Sequence, residues 1–140
     1  MNISATATDN ITEVLTKILD FTEQRHKILT ENIIKVNDDG YLPKELDSSG
    51  FADVMGHAVY EHMTNERLLL RDNENIKFGA NGFVEIKPIH DDHADSILKN
   101  NKEKYLKLQI KKISDNLLNK KVTEELLRQK RSRLSLALNT

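Results

Sequence analysis

No cysteine occurs in the 140-residue chain. Disulfides, thiolate metal sites and cysteine nucleophiles are therefore excluded, and any redox compartment is compatible with the composition. Tryptophan is absent as well, and aromatic residues reach only 5%, so bulk burial falls to a few Phe and Tyr. Glycine and proline are scarce, and all of them lie between residues 40 and 88. Both break helices, so the flanks on either side read as uninterrupted helix and the middle as broken structure. No apolar run approaches the roughly 20 residues needed to span a bilayer. Met1-Asn2-Ile3-Ser4-Ala5-Thr6 has neither the basic stretch nor the apolar core of a signal peptide. A location outside the cytoplasm would require a non-cleaved export route.

Charge is what the chain has in quantity. Charged residues make up 31% and apolar residues 38%, more charged and less apolar than an ordinary globular domain. A chain of this kind is expected to have its core completed by partners and to be partly disordered alone. The net charge of −1 conceals an asymmetry: residues 1–96 carry 9 Lys/Arg against 18 Asp/Glu, and residues 97–140 carry 12 against 4. The basic end suits acidic surface, in its own chain or a neighbour's. Nucleic acid fits it poorly, since only Tyr105 is there to stack on a base.

The length suits one domain over 1–140. A first helix is predicted over 10–36, with Asn10 and Glu13 as its cap pair. Ile11, Leu15, Ile18, Leu19, Thr22, Leu29, Ile33 and Val36 recur at three- and four-residue steps and draw one apolar stripe. Asn37-Asp38-Asp39-Gly40 stops this helix, with Gly40 suited to a left-handed cap. Residues 37–90 form an irregular middle. A short helix is expected within 51–71, placing Phe51, Val54, Met55, Val59 and Met63 on one side. Residues 75–78 and 83–86 bracket Gly79-Ala80-Asn81-Gly82, which reads as a small β-hairpin or extended loop. A second helical segment covers 91–139, with a candidate break near Asn119. In it Leu106, Ile110, Ile113 and Leu117 make a heptad seam of the coiled-coil kind, and Val122, Leu126, Leu127, Leu134 and Leu138 extend an apolar stripe to the end. The fold class is mainly α.

Candidate chemistry is sparse. His90-Asp91-Asp92-His93 offers two imidazoles and two carboxylates to a divalent metal, with His90 and His93 on one helix face at i, i+3. Pro88 makes the same segment a helix start, where Asp is favoured by the helix dipole, and a solvated first turn accounts for it more simply. His57, Glu61 and His62 resemble a zinc-protease signature, but the spacing is H-x-x-x-E-H. Five residues splay the two His by about 140° on a helix. Gly79-Ala80-Asn81-Gly82 precedes a strand-like segment, so it lacks the helix N-terminus of a phosphate loop. The sequence offers no catalytic constellation and implies no cofactor, so a non-enzymatic role is expected.

Asn32-Ile33-Ile34-Lys35-Val36-Asn37-Asp38-Asp39-Gly40-Tyr41 closes the first helix. It resembles the N-terminal signature of flagellar axial proteins, in which a helix ends in Asn-Ile-Ala-Asn and a Thr-Pro-Gly-Tyr turn follows. Ile34, Lys35 and Asp38-Asp39 stand where that family has Ala, Asn and Thr-Pro. Arg25-His26 and Leu29 just upstream match the rod subtype. Asn81-Gly82-Phe83-Val84-Glu85-Ile86 resembles the Gly-Asn-x-Val-x-Leu stretch of the small B-type proximal rod protein. Asn101 followed by Tyr105 is similar to that family's Asn-x-x-x-Tyr in its last helix. The resemblance covers most of residues 11–113. It implies terminal helices paired as a coiled coil, in a structural subunit of the flagellar basal-body rod. It further implies a periplasmic location reached by type III export, and other rod and axial proteins and the export apparatus as partners, in homo- and hetero-oligomers. On this reading Asn32, Ile33, Gly40, Tyr41, Asn81, Gly82, Val84, Ile86, Asn101 and Tyr105 are the motif and subunit-interface residues. A small cytoplasmic helical adaptor or chaperone-like protein is the second reading. A metal-dependent enzyme using His57, Glu61, His62, His90 or His93 is the third.

Overall fold

The Gly- and Pro-free flanks are helical. In the computed structural model, which describes residues 3–79 and 83–139, with side chains for 10–79, 83–133 and 136, eight elements follow one another. They are α1 (Ile3–Ile34), β1 (Lys44–Glu45), α2 (Ser48–Asn65), β2 (Ile76–Phe78), β3 (Val84–Ile86), β4 (Ile89–His90), α3 (Asp92–Asn100) and α4 (Lys102–Asn139). The fold is mainly α, and the long terminal helices pack together. Asn32 meets Gln109 while Thr22 meets Asn116, so α1 and α4 run antiparallel. Asn81, Gly82 and the side chains of Leu134 and Leu138 lie outside the described residues.

The first helix begins earlier than expected. Asn10 is inside α1 rather than its cap, and its side-chain amide donates across to the Glu66 carbonyl at 3.4 Å. At the other end the expected stop holds. The Asp38–Tyr41 turn is closed by Tyr41 N to Asp38 O at 3.2 Å, and Gly40 takes φ +72°, a value glycine adopts without steric cost.

Helix α2 starts before residue 51 because Asp47 caps it, accepting from Gly50 N at 2.9 Å. It ends at Asn65, short of 71, because Glu66 turns left-handed (φ 54°, ψ 34°) and donates its N–H to His62 O at 2.9 Å. Phe51, Val54 and Met55 are buried as expected, but Met63 is 78% exposed and Ala58 is the innermost residue of that face. The hairpin forms with Ile76 opposite Ile86 and Phe78 opposite Val84. Strands β1 and β4, which were not anticipated, pair Lys44 with His90 and Glu45 with Ile89.

The C-terminal segment breaks at Asn101, not near Asn119. Asn101 is extended (φ −157°, ψ 98°). Its N–H ends α3 by donating to Ile97 O at 2.7 Å. Its side-chain oxygen opens α4 by accepting from Lys104 N at 3.0 Å. Helix α3 begins at Asp92, beside the expected start at 91, with Asp91 as its cap accepting from Ala94 N at 3.0 Å.

The core lies on one flank of α1. Val14 and Phe21 meet Leu46, Phe51, Val54, Met55 and Ala58, closed off by Ile76, Val84 and Ile86 of the hairpin. Phe21 and Phe51 stack with centroids 4.3 Å apart. Gln24 and Asp20 strap the hairpin down, bonding Val84 O at 2.7 Å and Val84 N at 3.1 Å. This core closes within the chain, where composition alone pointed to completion by partners.

The seam between α1 and α4 differs from the expected one. Helix α4 turns Tyr105, Gln109, Asn116, Thr123 and Leu127 inward. The anticipated apolar heptad sits one step round the helix: Ile110 is 56% and Leu117 39% exposed, as Val122 and Leu126 are exposed too, and Leu106 and Ile113 are half-buried. Periodicity identified a stripe but not the surface it meets. Among the described residues, no helix is long and apolar enough to cross a membrane.

Candidate functional site

Where the chain leaves α1, it turns back along that helix, and Asn32 bonds both the returning Lys44 backbone and α4. Asn32, in the last turn of α1, is wholly buried. Its amide nitrogen donates to Lys44 O at 2.7 Å and to Gln109 Oε1 at 3.1 Å. Its oxygen accepts from Tyr41 O–H at 2.7 Å and Lys44 N at 3.0 Å. Both donors and both acceptor sites of the amide are thus used. The Lys44 backbone fixes the amide orientation, since its N–H can only donate and its carbonyl can only accept. Asn32 also accepts through its own carbonyl, from Tyr105 O–H at 2.9 Å.

Each participant is delivered by a local feature. Gly40 reverses the chain so that Tyr41 points back at the helix it has just left. Asn101 starts α4 one turn before Tyr105, whose N–H closes that turn on Asn101 O at 3.0 Å. Lys102 reaches Asn37 across the same exit. Burial, with the nearby Tyr41, Asp91 and Asp95, pushes the Tyr105 phenol far above its ordinary value. Its neutral hydroxyl is the donor to the Asn32 carbonyl. Burial also raises Tyr41.

Beside this junction lies a charged one. Glu45 of β1 accepts a two-pronged contact from Arg25, with Nε to Oε1 and Nη2 to Oε2 both at 3.0 Å. It also accepts from Leu46 N at 2.9 Å and lies 3.1 Å from the Lys112 ammonium. Lys112 reaches on to Asp91, the α3 cap, at 2.9 Å. Burial alone would raise the Glu45 carboxyl, but Arg25, the Leu46 amide and Lys112 outweigh it and hold it below the ordinary glutamate range. Asp91 is likewise pushed up by burial and pulled further down by Lys112 and the Ala94 amide. Four elements (α1, β1, the start of α3, and α4) are tied through two carboxylates and two cations. The basic helix therefore meets acidic groups within its own chain at Lys112.

Of the residues singled out from sequence, Asn32, Gly40, Tyr41, Asn101 and Tyr105 come together here. Ile33 is half-buried beside them. Val84 and Ile86 are buried in the core and belong to a different place. Asn32, Tyr105, Val84 and Ile86 are enclosed by the chain itself, so they shape the fold from inside rather than offering themselves as an interface. His90 and His93 do not share a helix face, because His90 lies in β4, before α3 begins. His90 Nε2 is 3.1 Å from Asp92 and 3.8 Å from Asp95, and His93 is exposed. Among the described residues, no group of three or more His, Asp or Glu side chains is placed to hold a metal. Glu61 is held by Arg67 at 2.5 Å and Asn65 at 2.7 Å. His57 is exposed and His62 sits 3.4 Å from Asn10.

Sequence reading missed Gln109, Lys112, Glu45 and Arg25 as a set. A signal was available: Gln and Asn at heptad spacing (Gln109, Asn116) inside an otherwise helical stretch mark a polar seam position. Asn116 Nδ2 donates to Thr22 O at 2.7 Å. Below that bond, a groove of about 420 Å³ opens between α1, α2 and α4, lined by Ile18, Phe21, Phe51, Met55 and Val122 among others. The only buried side-chain polar atom without a partner among the described residues is Gln109 Nε2. The arrangement is that of a mechanical joint: apart from Gln109 Nε2, the hydrogen-bonding groups described for it are occupied by each other. Compared with known protein families, characterised proteins and solved structures, the chain matches none.

Proposed function

We propose that this chain is a structural subunit of the bacterial flagellar basal-body rod. It would assemble through its terminal helices with other rod and axial proteins after passage through the flagellar export apparatus. One observation carries the reading. Of the residues that resemble the rod signature, Asn32, Tyr41 and the distant Tyr105 meet at one junction, with Gly40 in the turn before Tyr41 and Asn101 opening the helix that carries Tyr105. A subunit stacked in a tube needs its middle segment held at a fixed angle to its helical stem. A fully bonded Asn at the helix exit supplies that rigidity. The proposed location is the periplasmic part of the basal body.

The test is deletion of the gene in its host, with flagella scored by electron microscopy. Complementation then compares wild type with Tyr41→Asp and Gly40→Val. Loss of flagella, restored by wild type and not by the variants, is expected. Normal flagella in the deletion strain would remove the reading. A small helical adaptor is the second reading, favoured by the core that closes around Phe21 and Phe51 without a partner. A compact, cooperatively melting dimer by circular dichroism and light scattering, in a host with intact flagella, would establish it instead.

A further inference from the structure

Helix α4 carries an apolar row on the flank that the rest of the fold leaves open. Asn116 is buried and bonded to Thr22 of α1, so it marks the direction of that helix. Leu106, Ile110, Ile113 and Leu117 lie about 60–120° to one side of it. The other elements lie to the other side. Val122, which lines the groove shared with α1 and α2, is about 120° that way, and Lys112, which holds the α3 cap Asp91 at 2.9 Å, is about 40° that way. Lys111 and Asp115 belong to the same side as these. On the open flank Ile110 and Leu117 are 56% and 39% exposed, and Leu106 and Ile113 are half-buried. A charge stands at each end of the row: exposed Glu103 before Leu106, and half-buried Lys120 after Leu117. Glu103 meets Lys107 at 3.4 Å with both side chains more than three-quarters exposed, a contact worth little. Lys120 makes no ion pair among the described residues.

We infer that two copies of the chain pair through this row, with their α4 helices antiparallel about a two-fold axis. Four apolar positions at steps of four, three and four form the half-seam of a coiled coil, which another helix completes. The order of the row chooses the helix. From Glu103 to Lys120 the steps are three, four, three, four and three, and the apolar residues read Leu, Ile, Ile, Leu in either direction. An antiparallel copy therefore sets Leu106 against Leu117 and Ile110 against Ile113, each twice. The end charges are opposite in sign, so the same register sets Glu103 of each copy against Lys120 of the other. Lys107 on the outer border then comes beside Ser114 of the second copy. A parallel copy would set Glu103, Lys107, Lys120 and Lys121 each against itself, like charge on like. Glu124, one heptad past Leu117, extends beyond the second copy's helix break at Asn101 and meets no like charge. The contact is isologous and closes at two. It spans about 26 Å of helix and four apolar layers, a small interface, so pairing depends on concentration.

Sedimentation equilibrium of the full chain over a range of concentrations should show monomer and dimer in reversible exchange. Ile110→Asp with Leu117→Asp should leave monomer alone, with helical content by circular dichroism unchanged. Glu103→Lys or Lys120→Glu alone sets like charges together at both ends and should weaken the dimer about fivefold. The two changes in one chain restore opposite charges and should return most of the affinity. The chain has no cysteine, so introduced thiols report the register. Glu103→Cys and Lys120→Cys, mixed and oxidised in air, should form a disulfide between the two variants, and neither variant should form one with itself. A monomer at every concentration, a dimer that survives the double Asp change, a charge exchange that restores nothing, or disulfide dimers of a single Cys variant would each overturn the inference. The pairing concerns the free chain and does not rest on the rod reading. A monomeric chain whose deletion removes flagella keeps the rod and loses the pair, and a dimer whose deletion leaves flagella intact does the reverse.

Discussion

Replacing Asn32 by Ala tests the junction most directly. The substitution removes four side-chain hydrogen bonds: two to Lys44, one to Gln109 and one from Tyr41. Each is worth about 1 kcal/mol net, and a buried group left unpaired costs about 1–3 kcal/mol. Tyr41 is half-exposed, so its hydroxyl returns to water at little cost, while the Lys44 backbone and Gln109 do not. The expected loss is therefore about 3 kcal/mol, against a total of about 5–15 kcal/mol for a domain. With a urea dependence of about 1–3 kcal/mol per molar, the unfolding midpoint should fall by about 1–3 M. Asn100→Ala, which removes an exposed bond to Ser96 O, should cost less than about 0.5 kcal/mol. A second variant checks the mechanism. Asn32→Asp keeps both acceptors and loses both donors, so it sets a carboxylate against Lys44 O and Gln109 Oε1. Burial and those oxygens raise the folded pKa of the new acid above its unfolded value. Its destabilisation is thus full at neutral pH and shrinks as pH falls through the folded pKa. A loss below about 1 kcal/mol for the Ala variant, or a pH-independent Asp variant, would refute the reasoning.

Three further outcomes follow from single features. Gly40→Val should cost about 1–2 kcal/mol through its positive φ alone, because no atom lies within 4 Å of a side chain built there. Gly40→Asn should restore most of this in the same urea titration. Glu45 and Asp91 are held below ordinary carboxylate values of 4.5 and 3.8. Their stabilisation is complete above those values and is lost as pH falls through the lower folded ones, so melting temperature should drop steeply in acid. Glu45→Gln should flatten that limb, and an unchanged acid profile would contradict the network. Phe51→Ala, which removes the ring stacked on Phe21, should cost about 3–5 kcal/mol by calorimetry.

The features legible in the sequence were those carried by residue type. Confinement of Gly and Pro marked the flanks as free to be helical, although Gly50 and Gly56 lie inside α2, and Asp38-Asp39-Gly40 marked a turn that needs positive φ. The hairpin showed through the alternation at Val84, Glu85 and Ile86. What stayed hidden depended on partners distant in sequence. Strands β1 and β4 are two residues long, too short for any periodicity. Glu66 is left-handed without being Gly or Asn, so nothing in its identity announces a helix end. Asn101 was noticed through the motif it resembles, yet its double service as the end of α3 and the start of α4 needs the backbone to be visible. The Asn32 junction was legible in its members and not in its geometry. Gln109 is marked only by its heptad spacing to Asn116, and Lys44, whose backbone does the bonding, carries no local signal.

The polar seam explains why apolar periodicity pointed to the wrong face. Rotating α4 by one residue step, about 100°, would bury Ile110, Ile113 and Leu117. At about 1.5–3 kcal/mol for full burial of each, the gain is several kcal/mol. The same rotation would break the Gln109 bond to Asn32, the Asn116 bond to Thr22 and the Tyr105 bond to Asn32. It would also withdraw Lys112 from Glu45 and Asp91. Each buried group left unpaired costs about 1–3 kcal/mol, and more where it is charged. The two totals are of similar size, so stability alone does not choose between the rotations. Direction does. An apolar stripe tolerates slippage, whereas these polar contacts exist at one rotation and one axial register, as a buried Asn fixes register in a coiled coil. The junction therefore holds α4 where Ile110 and Leu117 face outward, although apolar burial alone would turn them in.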